Sequence, residues 1–111
     1  MKAILLLAVL ALSITTACTK SSKTGDPTED LAWLKAKKTE MASQSCTCAP
    51  SIWQETYEGR TIYETGCSAP NCLCAHFFYE SDGKSVIGSE ESNRQVFLSK
   101  ITNRTLLWSC K

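Results

Sequence analysis

The apolar positions of the chain change period several times, and each change marks an element. Met1-Lys2 gives a positive start, Ala3 to Leu12 is an unbroken apolar run, and small residues follow up to Cys18. Such a run falls well short of the roughly 20 apolar residues that a bilayer-spanning helix needs. With its basic start and small-residue end it reads as a secretory signal peptide, residues 1–17. Thr19 to Asp26 (TKSSKTGD) holds no large apolar side chain, so it cannot bury surface and reads as a tether. Helical spacing begins next. Leu31, Leu34 and Met41 share one face of a helix predicted from Asp26 to about Ala42, with Lys35, Lys37 and Lys38 turned to water. Asp26 can cap it, Pro27 suits the first helical position, and Glu29 stands where a capping-box acid returns to the cap amide. Trp33 lies off the apolar stripe and is expected to pack against a sheet.

Beyond Pro50 the period falls to two. Ile52 to Tyr57 alternates so that Trp53 and Tyr57 share a face, Glu58-Gly59-Arg60 turns the chain, and Thr61 to Glu64 returns: a hairpin. Leu73 to Glu80 is predicted as the most apolar strand, with Leu73, Ala75, Phe77 and Tyr79 on one face and Cys72, Cys74, His76 and Phe78 on the other. Ser81-Asp82-Gly83-Lys84 is a turn signal, after which the chain returns through Ser85-Val86-Ile87. Ser92 to Gln95 has capping-box spacing ahead of a short helix through Val96, Phe97, Leu98 and Ile101. Asn103-Arg104 is expected to turn the chain into a last strand, Thr105 to Cys110. The pattern therefore predicts an α+β fold: an N-terminal helix on a small antiparallel sheet of about four or five strands.

Cysteine use and charge sharpen this picture. The chain has seven Cys, an odd number for an exported protein. Thr15-Thr16-Ala17-Cys18 resembles a bacterial lipobox, with Thr15 where Leu, Val or Ile is usual. That resemblance implies that Cys18 receives diacylglycerol and a fatty acyl group and becomes the first mature residue, so 18–26 is a lipidated tether and 27–111 the folded domain. Cys46, Cys48, Cys67, Cys72, Cys74 and Cys110 then form an even set, expected to make three disulfides in an oxidising compartment. Neighbours in a Cys-x-Cys pair are poor partners, so Cys46 and Cys48 are expected to bridge into the group Cys67, Cys72, Cys74 and Cys110. Removing Lys2 with the leader leaves eleven basic and eleven acidic side chains. That balance gives no footprint for nucleic acid or an anionic membrane face. Membrane attachment must then come from acyl chains, at about 0.8 kcal/mol per buried methylene.

Trp33-Leu34 on a helix, Tyr57-Glu58-Gly59-Arg60-Thr61-Ile62-Tyr63 in a hairpin, Cys67 to Cys74 before an aromatic strand, the Asp82-Gly83 turn and a terminal Leu107-Trp108 follow one another in a fixed order. This order resembles that of small lipoproteins of Bacteroidota. The chain lacks the adjacent Cys-Cys-Asp of that pattern and carries more cysteines. The resemblance implies an exported, lipid-anchored envelope protein of the outer membrane, and it brings no catalytic residue.

Several constellations offer groups that could do chemistry. Cys72, Cys74 and His76 on one strand face, near Cys46 and Cys48, offer Zn²⁺ ligands, although the spacing is not that of common zinc knuckles. Cys74 and His76 would make a nucleophile and base, but two positions along a strand lie about 6.5–7 Å apart. The adjacent carboxylates Glu29-Asp30 and Glu90-Glu91 diverge and make capping sense. Asn103-Arg104-Thr105 matches a glycosylation sequon without meaning in a bacterial chain. No Gly-rich phosphate loop or nucleophile elbow is present. No catalytic residue, cofactor or resident metal is expected. The chain reads as a non-enzymatic module binding a protein, peptide or glycan, with a zinc protein or a Cys74/His76 enzyme as alternatives. Trp53, Tyr57, Tyr63, Phe78 and Tyr79 on strands are expected to complete the core more than to present a recognition surface.

Overall fold

A computed structural model describes residues 24–86 and 94–111. Its helical start follows from Asp26, whose carboxylate accepts from the Thr28 backbone N–H at 2.9 Å and the Thr28 hydroxyl at 2.7 Å. Pro27 sits in the first position of α1 (Pro27–Asp30). The expected single helix is in fact two, because Leu31 is extended (φ −92°, ψ 113°) and α2 runs from Ala32 to Ala42. The acids of the first turn account for the break. Asp30 accepts from the N–H groups of Thr24 and Gly25. Glu29 reaches Lys35 and Lys38 of α2 and does not return to the cap amide. That folding-over buries Thr28 and turns Leu31 toward the core. It also corrects the expectation for the lysines. Lys35 stays in water, Lys38 is largely covered beside Glu29, and the Lys37 ammonium lies over the Tyr79 ring at 5.5 Å.

A four-stranded antiparallel sheet follows, in the order β3-β2-β1-β4. Strands β1 (Pro50–Tyr57) and β2 (Arg60–Cys67) form the predicted hairpin, closed by Glu58 and Gly59 at φ 48° and 76°. Two consecutive left-handed residues are what a right-twisted two-residue hairpin needs. Strand β3 is only Phe77–Glu80, so the long strand predicted from Leu73 is corrected. Two bridges draw residues 72–74 off the ladder: Cys48–Cys72, from the short 3₁₀ turn Cys46–Cys48, and Cys67–Cys74, from the end of β2. Leu73 is left fully exposed. After Gly83 the chain returns with Ser85 opposite Tyr79 and Val86 buried. Ile87 and the capping residues Ser92 and Asn93 lie outside the described residues.

The short helix is α3 (Arg94–Ser99), and β4 (Ile101–Ser109) starts directly after it. Ile101 therefore belongs to the strand, and the expected turn at Asn103-Arg104 lies inside it. Thr102 and Thr105 pair with Thr56 and Gln54, so β4 carries one extra residue there. With Asn103 at φ 54°, this is a β-bulge, which kinks an edge strand and re-aims a side chain.

The sheet buries both faces. On one, Leu34, Ile52 and Tyr63 pack with Leu31, Trp33, Met41, Leu107 and Trp108. Trp33 is the expected sheet anchor. Its ring meets Tyr63 edge-on and Tyr79 at a tilt, and its Nε1–H donates to the Ser81 carbonyl at 2.8 Å. On the other face Tyr57, Ile62, Phe78, Val86 and Phe97 form a second cluster, with Ile101 against it. Cys46–Cys110 joins the 3₁₀ turn to the end of β4, so all six cysteines among the described residues are paired and Cys46 and Cys48 both reach the later group as expected. Ser51 is fully buried among these staples, its Oγ 2.9 Å from Ser109 Oγ and 3.1 Å from Ser68 Oγ.

Candidate functional site

The α3 face of the sheet is apolar at one end and charged at the other. Alternation along β1 puts Trp53, Glu55 and Tyr57 on this face, and the pairing of Trp53 with Glu64 and of Glu55 with Ile62 makes Glu55 and Glu64 diagonal neighbours. Both carboxylates are buried, Glu55 with 2% and Glu64 with 5% of its surface exposed. Burying two carboxylates side by side is costly without compensating donors.

Those donors come from two irregular segments. The bulge in β4 presents Arg104, whose Nε and terminal nitrogen donate to the two oxygens of Glu64 at 3.2 Å each. Arg104 Nε also lies 3.4 Å from Glu55 Oε2. The segment pulled off the ladder before β3 presents His76, whose Nδ1 meets Glu64 Oε2. Trp53 lies against both side chains, with the Arg104 guanidinium 4.1 Å from its ring centroid and the His76 imidazole nearly parallel to it at 5.7 Å. A Cβ on Gly66 would collide with the imidazole, so that glycine is what lets His76 lie down on β2.

The two acids respond oppositely to this setting. Burial, and then the hydrogen bond and charge of Glu64, push Glu55 up to about 8 against the weaker opposing pull of Arg104. Burial pushes Glu64 upward too, but hydrogen bonds from Glu55, His76 and Arg104 outweigh it and hold that carboxyl below its ordinary value. The pair therefore holds one proton, on Glu55, at neutral pH. Glu55 Oε1 finds no donor among the described residues.

Two cavities open onto the pair. One of about 310 Å³ is lined by Glu55, Glu64, Leu98, Ile101 and Arg104. The other, about 470 Å³, shares Glu64 and Leu98 and extends past His76, Phe77 and Arg94. Arg94 donates to the His76 carbonyl at 3.2 Å and covers the Phe78 ring.

Of the residues weighed in the sequence as ligands or catalysts, only His76 belongs to this cluster, while Trp53, expected to complete the core, lies against His76 and Arg104. Cys72 and Cys74 are bonded to Cys48 and Cys67, so neither offers a thiol beside it. Glu29 and Asp30 sit at the helix start, while Glu90-Glu91 and Cys18 lie outside the described residues. Glu55, Glu64 and Arg104 were missed. The signal was present in Trp53-Gln54-Glu55-Thr56-Tyr57, where period two places an acid between two aromatics on a face that must be buried.

No protein-family model, curated protein or solved structure matches this chain.

Proposed function

We propose that the protein is an exported, lipid-anchored protein of a bacterial envelope whose disulfide-stapled domain is a non-enzymatic interaction module. The observation that carries this reading is the pairing of Cys46, Cys48, Cys67, Cys72, Cys74 and Cys110 with one another. Three bridges suit an oxidising compartment, and they leave Cys18 as the odd sulfur, in the lipobox-like Thr15 to Cys18. A diacylglyceryl thioether at Cys18, with an added acyl chain, supplies a lasting membrane hold that the neutral mature chain cannot supply electrostatically. The interaction role draws on Leu73, Phe77, Val96, Leu98 and Leu106, large apolar side chains that stay exposed and are available to a partner. The zinc and Cys74/His76 alternatives have less support, since Cys72 and Cys74 are both in disulfides.

The test is incorporation of radiolabelled palmitate in a bacterial host, followed by fractionation. Wild type is expected to take the label and sediment with the outer membrane, and Cys18→Ala to lose both. An unlabelled wild-type protein in the soluble fraction would overturn the anchor.

A further inference from the structure

We propose that the cavity between α3 and the sheet, floored by Glu55 and Glu64 and walled by Leu98 and Ile101, binds a primary ammonium group carried on a short aliphatic chain. This deepens the interaction-module reading by naming the chemistry of its ligand, and it rests on that reading only for the idea that the domain binds something.

Four observations converge on this chemistry. Glu55 is 2% exposed, lines the cavity, and has an oxygen, Oε1, that finds no donor among the described residues. A buried acceptor in that condition costs free energy that an incoming donor would recover. Next, once Glu55 is ionised the charges are unequal: two carboxylates then share the single guanidinium of Arg104, and the imidazole of His76 is turned to Glu64 alone. Third, Arg104 already occupies both oxygens of Glu64 and lies beside Glu55 Oε2, which leaves a single oxygen instead of a pair. A planar guanidinium needs two acceptors side by side, whereas an ammonium is a point donor that one oxygen suits. Fourth, apart from Arg104, whose guanidinium is engaged by the two acids, the lining beyond the carboxylates is Leu98 and Ile101, aliphatic surfaces that match methylenes.

Binding is coupled to a proton. The groups that face Glu55 are Glu64 from β2, Arg104 from β4 and, through Glu64, His76 from the segment before β3. Tyr57 lies two residues along its own strand, and α3 brings Arg94 to the adjoining cavity. Glu55 holds its proton until about pH 8, and an ammonium ion favours the ionised form. Affinity is therefore expected to rise about tenfold per pH unit from 6 toward 8, level off, and fall again as the amine itself loses its proton near 10.4.

The experiment is an NMR titration of the isotope-labelled full chain with n-butylammonium and with Nα-acetyl-lysine amide, which separate a free amine from a lysine side chain. Neutral n-butanol and potassium at matched ionic strength are the controls. The expected result is saturable shifts in β1, β2 and α3 with at least one amine, tightening between pH 6 and 8, and no comparable effect of the controls. Glu55→Gln, which copies the shape of the protonated acid, should keep the native spectrum and lose binding at least tenfold. Leu98→Ser lies at an exposed position and should weaken butylammonium several-fold while leaving methylammonium unchanged. Equal binding of butanol, shifts no larger than those of potassium, or full affinity in Glu55→Gln would each overturn the proposal. None of these outcomes bears on palmitate incorporation, so the site and the anchor fail separately.

Discussion

Glu55 puts an ionisable group at a largely buried position, and that makes folding sensitive to pH in a direction that can be worked out. Its folded value, about 8, is above the 4.5 of an unfolded chain. Between those values the native state binds the extra proton, so raising the pH through this window destabilises the fold. Glu64 acts in the opposite sense. Held below the ordinary value, it contributes stability that is present above about pH 4.5 and is lost as pH falls through its folded value. Wild type is therefore expected to be most stable near pH 5 and to melt at progressively lower temperature toward pH 8. In Glu55→Gln the titrating group is gone, and the melting temperature between pH 5 and 8 should become flat. Calorimetry of both proteins across that range checks it. A wild-type profile as flat as that of the variant would mean that Glu55 is ionised throughout.

The turns are where single residues decide whole elements. Gly83 has φ 89°, and a Cβ there would stand 2.9 Å from Trp33 Cγ. Gly59 has a similar φ of 76°, but a Cβ would meet nothing within 4 Å. Backbone strain is thus common to both alanine variants, while only Gly83→Ala also displaces the ring that packs α2 on Tyr63 and Tyr79. Gly59→Ala is expected to cost about 1 kcal/mol and Gly83→Ala about 2–3 kcal/mol by urea unfolding. Equal costs would show that Trp33 yields freely. Elements set by local chemistry were legible in the sequence: the Asp26-Pro27 start, the Glu58-Gly59 hairpin and the Asp82-Gly83 turn. So was Trp33 as an anchor, because an aromatic flanking an apolar stripe has to be covered. What was not legible depended on distant partners. Residues 73–76 have strand composition, yet Cys72 and Cys74 are held by Cys48 and Cys67. Asn103-Arg104 looks like a turn because Asn tolerates a left-handed backbone, and that same tolerance serves a bulge once β1 lies alongside. The charged cluster combines these two surprises, since one delivers His76 and the other Arg104. Only its first acid could be found from alternation alone.

At the scale of the molecule, the bridges differ in what they close. Cys46–Cys110 spans 64 residues, Cys48–Cys72 spans 24 and Cys67–Cys74 only 7. If cross-links act mainly by restricting the unfolded chain, their separate contributions at 25 °C are about 4, 3.5 and 2.4 kcal/mol. The longest also pins the end of edge strand β4 to the 3₁₀ turn, and the buried Ser51–Ser109 contact depends on that strand end staying in place. The shortest has a different duty. It fixes the segment that carries His76 onto β2, so it holds the charged cluster more than it holds the fold. Paired Cys→Ala variants should therefore separate stability from site geometry. Removing Cys46–Cys110 is expected to cost the most by urea unfolding and to expose Trp108 fluorescence. Removing Cys67–Cys74 should cost the least while shifting the His76 imidazole resonances away from Glu64. If the ranking of costs reversed, loop closure would not be what these staples contribute, and enthalpic packing around each bridge would have to explain the order instead.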